Sequence, residues 1–279
     1  MHPLITLVCA VAGVSFLVGG VASFVVPPAS VPSQGTSVVL GCVLLVFANW
    51  AWRARRRSGG GDANRTRRNI DVTELLPDIE EFRRVTQSLA ALDALMSPEW
   101  QFRYYSFDPN WSEEHQLASM RNGSGDEWCA RIGGDGIVVR GLLHESGDFV
   151  PGEPKPWVFG RLPRELGAGF LAEPSFDTAN STFCLWRHVA DSRWSRGPVP
   201  ASAADDGAHD LLRLLWSGAV GYRDWAEEYY DTRLELADVE SFYRHEPVTL
   251  ERARRMNPDV DFAALLEELA KIGYPSGRA

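Results

Sequence analysis

LASMRNGSGDEWCARIGGDGIVVRGLLH, residues 117–144, decides the fold of this chain. The glycine-rich stretches NGSG and GGDG divide it, and Gly and Asn tolerate the left-handed backbone conformations that tight hairpin turns need. The apolar residues around these turns predict three short strands, over residues 117–121, 126–132 and 137–144. Three strands joined by two short turns are typical of an antiparallel β-meander.

Helices and further strands are predicted on both sides of the meander. Before it, apolar residues at three- and four-residue steps predict an amphipathic helix over 78–96, and the aromatic run 102–107 predicts a strand. After it, the pattern predicts a short helix at 162–172, a strand at 182–188, and helices at 210–216, 222–231, 236–243, 250–256 and 262–272. We therefore expect an α+β domain over residues 70–279, helical from about residue 208, with helices covering one side of its sheet.

Two apolar runs precede this domain. Residues 4–26 are 23 residues without a charge, and residues 37–52 are 16 more. As helices they are about 34 Å and about 24 Å long, against a bilayer core of roughly 30 Å. The sequence therefore predicts a two-helix transmembrane hairpin over residues 1–52, with spans at about 4–26 and 37–52. A cleaved signal peptide is the alternative for the first run.

Arginines decide the orientation of the predicted hairpin. Four of them directly follow the second run: Arg53, Arg55, Arg56 and Arg57. The basic, Gly-rich stretch 53–69 predicts a flexible linker. Because positively charged flanks stay in the cytoplasm, we expect a multi-pass protein of a bacterial inner membrane that contacts the lipid bilayer through two helices. This arrangement places the domain at 70–279 in the cytoplasm, and cleavage of the first run would leave it there.

The charge of the domain excludes one class of partner. The whole chain carries a net charge of −9, and residues 1–69 carry seven Arg against one Asp, a net of +6, so residues 70–279 carry −15. Such an acidic domain repels nucleic acid, and we expect none as a partner. The four cysteines form no CxxC pair, so we expect no zinc or redox site and no cofactor. Cys129 and Cys184 are expected to be buried apolar residues.

Catalytic candidates lie at the ends of two meander strands. The phosphate-loop, dinucleotide, zinc-protease and nucleophile-elbow motifs are all absent from the sequence. His144 and Glu145 stand at the end of the third strand and Asp126 opens the second, and an imidazole with carboxylates in reach is the minimum for general acid–base chemistry. However, adjacent strand residues point to opposite faces. Polar strand ends at the edge of a sheet therefore explain the same residues, and both interpretations stay open.

The domain is rich in tryptophan, with eight of the ten in the chain. Trp111 and Trp194 stand next to polar loop residues, and we predict that they contact a binding partner, because aromatic residues are enriched at protein interfaces. Trp128 lies in a predicted strand and is a candidate both for the core and for the interface.

Three segments resemble a widespread family of uncharacterised bacterial proteins: MRNGSGDEW at 120–128, TFCLWR at 182–187 and IGYP at 272–275. The resemblance covers roughly residues 92–275, excludes the apolar N-terminal runs and implies no activity. The order of an N-terminal helix, a glycine-turned meander and Trp-bearing strands also resembles the SUKH superfamily of immunity proteins. That second resemblance implies a domain that neutralises a toxin by binding it.

Three functional hypotheses follow from these observations. The first is a membrane-anchored cytoplasmic module that binds another protein, of an immunity type or an effector-binding type, because the domain is acidic, rich in aromatic residues and without a recognisable catalytic motif. The alternative is a hydrolase that uses His144 with Asp126 and Glu145. The second alternative is a structural or sensory membrane component.

Overall fold

The computed structural model describes residues 71–276, which lie in the compact unit Ala63–Ala279. Within them the strands are β1 Tyr105–Asp108, β2 His115–Arg121, β3 Glu127–Gly133, β4 Gly136–Leu142, β5 Phe183–His188 and β6 Ser195–Arg196. The helices are α1 Val72–Leu75, α2 Ile79–Met96, α3 Arg164–Ala172, α4 Ala208–Leu211, α5 Arg213–Trp216, α6 Gly218–Tyr230, α7 Leu236–Tyr243, α8 Leu250–Met256 and α9 Phe262–Ile272. Short 3₁₀ helices form at Trp100–Phe102 and Pro174–Phe176.

The strands form one antiparallel sheet in sequence order, β1-β2-β3-β4-β5-β6. The predicted meander is its centre, and β1, β5 and β6 extend it on both sides. Gly133 pairs with Gly136 across a two-residue turn. Gly136 has a φ of +138°, a conformation that a side chain at this position would strain. The glycines therefore set the register of the hairpin, as their place in the sequence indicated.

β1 begins later than the aromatic run predicted. Residues 100–102 form a 3₁₀ helix instead of the first part of a strand, and pairing starts at Tyr105 opposite Met120. The reason is a buried side chain: the carboxylate of Asp93 accepts hydrogen bonds from the backbone N–H groups of Tyr104 (2.6 Å) and Tyr105 (2.8 Å). These two bonds fix the point at which the chain joins the sheet.

Helix α2 is the central element of the helical layer. Asp78 caps its first turn by accepting a hydrogen bond from the N–H of Glu81. Every residue from Val85 to Leu95 is buried, because α2 contacts β1, α7 and α9. Its buried hydroxyls bond to backbone carbonyls; the Ser88 side chain, for example, donates to the carbonyl of Phe242 at 2.9 Å.

The other face of the sheet is covered as well, which corrects the expectation of a single covered side. Cys129, Val138 and Trp186 point to this face and pack against Leu166 and Phe170 of α3. Because both faces are covered, β3 and β4 are buried along almost their whole length rather than at alternate residues. The two cysteines of the domain are buried and unpaired, as expected.

The C-terminal helices follow the predicted pattern with two differences: α6 begins at Gly218 and not at residue 222, and one predicted helix is interrupted. Helices α7, α8 and α9 have the predicted bounds, whereas the predicted helix at 210–216 is divided into α4 and α5. The indole N–H of Trp128 donates to the carbonyl of Leu211 at 3.1 Å. In an uninterrupted α-helix, the carbonyl of Leu211 would accept the N–H of Leu215. Here the N–H of Leu215 donates to the carbonyl of Leu212 instead. The tertiary hydrogen bond therefore breaks the helix.

The fold class needs a correction at its N-terminal end. Among residues 71–276, no helix is both long enough and apolar enough to cross a membrane. The longest of these, α2, has 18 residues but carries five charged side chains. The predicted spans at 4–26 and 37–52, the orientation residues Arg53, Arg55, Arg56 and Arg57, and the linker at 53–69 lie outside the described residues. The fold class of residues 71–276 is therefore α+β with a six-stranded antiparallel sheet, and no helix among these residues supports the predicted transmembrane hairpin.

Candidate functional site

The structure brings the three predicted catalytic residues together. Nδ1 of His144 lies 2.6 Å from Oδ1 of Asp126, and the same oxygen accepts the backbone N–H of His144 at 3.2 Å. Nε2 of His144 lies 3.8 Å from a carboxylate oxygen of Glu145. The contact arises from strand register: Glu127 pairs with Leu142, so the residue before β3 and the second residue after β4 meet at one end of the sheet.

The turn between β2 and β3 holds Asp126 in place. Asn122 donates from its side-chain NH₂ group to Oδ2 of Asp126 at 2.7 Å. The side-chain oxygen Oδ1 of Asn122 accepts the backbone N–H groups of Ser124 and Asp126. Gly125 lets the turn approach the imidazole, because a Cβ at this position would lie 3.1 Å from Cγ of His144. Asp126 is buried, and the His144 side chain keeps 31% of its surface exposed.

This arrangement can orient a general base. A carboxylate on Nδ1 fixes the imidazole and leaves Nε2, which lies 3.8 Å from a carboxylate oxygen of Glu145, as the nitrogen that could accept a proton. The same bonds also fasten the β2–β3 turn to the end of β4, which is a purely structural role. Within residues 71–276 there is no group of three or more His, Cys, Asp or Glu residues arranged to hold a metal ion.

Two of the three tryptophans considered for binding are buried in the core, which corrects the assignment of Trp194 and favours the core alternative for Trp128. Trp194 is 4% exposed and donates its indole N–H to the carbonyl of Pro77 at 2.6 Å. Trp128 is 2% exposed. Both rings point inward because their N–H groups find backbone acceptors from distant parts of the chain. Trp111 is half-buried, with its ring centroid 5.0 Å from that of Phe176, and so it shows only part of its surface.

The most exposed aromatic residues among those described lie elsewhere, on the 3₁₀ helix after α2. Trp100 is 57% exposed and Phe102 is 54% exposed. The guanidinium of Arg121 lies over the Trp100 ring, 3.9 Å from its centroid. We call these three residues the aromatic turn. The sequence held one signal for it: both aromatic residues follow Pro98, where the apolar period of α2 has ended.

A cleft of about 380 Å³ adjoins the aromatic turn. One wall is the edge strand β1, and the other is α9. The lining residues are Ala90, Trp100, Arg103, Tyr105, Ser106, Phe107, Glu268, Lys271 and Ile272. We call this space the edge cleft. Its volume falls within the range of roughly 300–1,000 Å³ that ligand clefts occupy.

Arg103 joins the walls of the edge cleft. This buried side chain donates to the carbonyls of Ser97 (2.9 Å) and Pro98 (2.8 Å) at the end of α2. It also donates to Glu268 of α9 at 2.7 Å, and Lys271 binds the other oxygen of that carboxylate at 2.6 Å. These hydrogen bonds hold the pKa of Glu268 below its usual value. The turn, the helix end and α9 are therefore cross-linked by charged hydrogen bonds.

Asp93 positions the cleft from the interior. Its carboxylate also accepts the hydroxyl of Tyr230 at 3.0 Å, in addition to the two backbone N–H groups at the start of β1. Burial raises the pKa of Asp93 to about 6, although these donors and the charge of Arg103 act in the opposite direction. A buried carboxylate with three donors and a raised pKa is a feature that residue type alone did not reveal.

A larger cleft of about 500 Å³ lies at the C-terminal end of α6 and is lined by Asp224, Glu227, Glu228, Asp231, Thr232 and Arg233. Glu227 accepts hydrogen bonds from the N–H of Leu234 at 2.9 Å and from Arg233 at 3.0 Å. The bond from Leu234 and the neighbouring arginine lower the pKa of Glu227. Through these contacts Glu227 has a structural role: it fixes the segment that follows the C-terminal end of α6.

No family model matches this chain, and neither a curated protein nor a solved structure matches it. The resemblances seen in the sequence, to the family of uncharacterised bacterial proteins and to the SUKH immunity proteins, therefore stay predictions. Within residues 71–276, the features that bear on function are the aromatic turn, the edge cleft and the His144–Asp126 pair.

Proposed function

We propose that the domain at residues 71–276 is a protein-binding module whose contact surface is centred on the aromatic turn. The observation that carries this proposal is the joint exposure of Trp100 (57%) and Phe102 (54%) on one short 3₁₀ helix. Covering both rings would bury roughly 200 Å² of apolar surface, which would contribute about 5 kcal/mol to the free energy of binding before the costs of association are counted. Part of that gain is lost to the entropy of association.

The aromatic turn is held rigid before any partner arrives. Arg121 stacks on the Trp100 ring. Arg103, which directly follows the 3₁₀ helix, donates to the carbonyls of Ser97 and Pro98, which precede it, and so ties the two ends of the helix together. Rigid aromatic and arginine side chains lose little conformational entropy on binding, and they are the residue types enriched at energetic hot spots. The geometry therefore supports binding better than it supports catalysis.

The test is a comparison of captured partners. The full-length protein is used as bait in an extract of its own cells, and stoichiometric partners are identified by mass spectrometry. We expect the double variant Trp100→Ala, Phe102→Ala to lose at least about 90% of a partner that the wild type retains. The matched control is Val189→Ala, Val220→Ala, which removes two other exposed apolar side chains. Equal capture by both double variants, or no stoichiometric partner, would contradict the proposal.

A hydrolase is the second candidate, and the distance of 2.6 Å between His144 and Asp126 favours it. Chromogenic esters, amides and phosphate esters test it directly. If this candidate is correct, His144→Gln abolishes turnover and Trp100→Ala leaves it unchanged. Equal turnover by the wild type and His144→Gln would remove the candidate. Circular dichroism and urea unfolding establish that the variants are folded.

A further inference from the structure

The guanidinium of Arg121 lies on the same exposed surface as the rings of the aromatic turn. Arg121 is the exposed last residue of β2, and its backbone N–H donates to the carbonyl of Tyr104 at 2.9 Å. This bond holds Arg121 beside the 3₁₀ helix, where its guanidinium lies over the Trp100 ring at 3.9 Å from the centroid. A positive charge and the exposed apolar surface of Trp100 and Phe102 therefore form one contact surface.

The charge of Arg121 is not neutralised by a neighbouring acid. Its cross-strand partner is Glu127, but that carboxylate is bound by Arg140 at 2.6 Å. Glu99, which precedes the 3₁₀ helix, accepts the side-chain amide of Gln101 at 3.0 Å. Among the described residues, no carboxylate forms an ion pair with Arg121. Its positive charge is therefore available to a partner.

The hydrogen-bond donors of Arg121 are available as well. A guanidinium carries five N–H groups in a planar fork that matches the two oxygens of a carboxylate. In Arg121 one of them donates to the carbonyl of Trp100, over a long distance of 3.4 Å, and the others have no acceptor among the described residues. Because stacking on the ring already orders the guanidinium, little side-chain entropy is lost when it binds a carboxylate.

Charge limits the kind of anion that this surface can bind. Residues 70–279 carry −15, which opposes an acidic partner at long range, but exposed charges are largely screened beyond about 8 Å at physiological ionic strength. At contact, the guanidinium of Arg121 faces the partner. A phosphate group would bring a charge of about −1.5 to −2 to a single arginine, whereas a carboxylate matches its one positive charge.

We propose that Arg121 determines the specificity of the aromatic turn by binding an Asp or Glu side chain of the partner protein through its guanidinium. An apolar side chain next to that acid in the partner covers the rings of Trp100 and Phe102. This inference rests on the proposed binding function and names the chemistry of the partner segment.

The experiment begins with selection of binding peptides from a phage-displayed library of random sequences on the full-length protein. We expect enriched sequences in which Asp or Glu stands beside an aromatic or large aliphatic residue. Isothermal titration calorimetry with synthetic versions then measures the affinity of each variant. Arg121→Gln should weaken binding at least about tenfold, because the charged hydrogen bonds to the carboxylate are lost. Arg121→Lys should weaken it at least about threefold, because an ammonium group keeps the charge without the planar fork or the stacking.

Arg193→Gln is the matched control, since it removes the same charge near the other end of α2. Arg193 is exposed, and its neighbour Trp194 bonds to Pro77 before the first turn of α2, whereas the aromatic turn follows the last. The control should leave the affinity unchanged. Circular dichroism and urea unfolding establish that the variants are folded.

A change in the peptide completes a double-mutant cycle. Replacing its acid with the corresponding amide should weaken binding to the wild type as much as Arg121→Gln does. The same peptide change should have no further effect on the Arg121→Gln variant, because the two groups form one pair. Additive effects of the two changes, selected sequences without an acid, or equal affinities of Arg121→Gln and Arg193→Gln would overturn the inference.

The outcomes separate the inference from the function on which it rests. If selected peptides lose affinity with Trp100→Ala, Phe102→Ala but not with Arg121→Gln, the inference is wrong and binding by the aromatic turn stands. If no peptide is selected, Arg121→Gln and Arg193→Gln serve as baits in the cell extract. Loss of the wild-type partner by Arg121→Gln alone supports the inference, and equal capture overturns it. If the wild type captures no stoichiometric partner either, the inference and the proposed function are both wrong.

Discussion

Replacing Asp93 with Asn should remove a pH dependence of stability between about pH 4 and pH 6. Burial raises the pKa of Asp93 from 3.8 to about 6 in the folded protein. The folded state therefore holds this proton more tightly than the unfolded state does. The stability contributed by the neutral carboxyl group is fully present below about pH 4 and is lost as the pH rises through 6. A pKa shift of about two units corresponds to about 3 kcal/mol in the free energy of unfolding.

Asn fits this position because it can keep all three hydrogen bonds. Its carbonyl oxygen can accept the N–H groups of Tyr104 and Tyr105, as Oδ2 of Asp93 does. Its amide group then faces the hydroxyl of Tyr230, which can turn to accept. Ala cannot make these bonds. Asp93→Ala leaves three buried donors unsatisfied, at about 1–3 kcal/mol each, so it should destabilise the domain by at least about 3 kcal/mol.

Urea unfolding from pH 4 to pH 7.5, followed by tryptophan fluorescence, measures the effect. The wild type and Asp93→Asn should have similar free energies of unfolding near pH 4, and the variant should be more stable by up to about 3 kcal/mol above pH 6.5. A difference that stays constant with pH would refute the reasoning. A wild type that gains stability over the variant as the pH rises would show that the three donors and Arg103 outweigh burial.

Two further substitutions test the packing that the structure shows. Gly197→Ala places a Cβ 1.6 Å from the carbonyl oxygen of Trp157 and should lower the free energy of unfolding by more than about 3 kcal/mol. The control is Gly134→Ala, whose Cβ meets nothing within 4 Å and which should change the free energy of unfolding by less than about 1 kcal/mol. Trp194→Phe removes the donor to the carbonyl of Pro77 and should lower the free energy of unfolding by about 1–3 kcal/mol in the same urea assay.

The helix bounds could be predicted where local chemistry decides them. Thr249 accepts the N–H of Arg252 at the start of α8, and Asp261 accepts two N–H groups at the start of α9. Gly273 ends α9 with a φ of +71°. Caps of this kind act within four residues of the helix end, so the sequence alone shows them.

Contacts between distant segments could not be predicted in this way. Trp194 was expected to contact a partner because its neighbours are polar, yet its indole bonds to Pro77, 117 residues away. The contact between His144 and Asp126 depends on the register of β3 and β4. Residue types suggested the chemistry of each group, but the pairing of strands decided which groups meet.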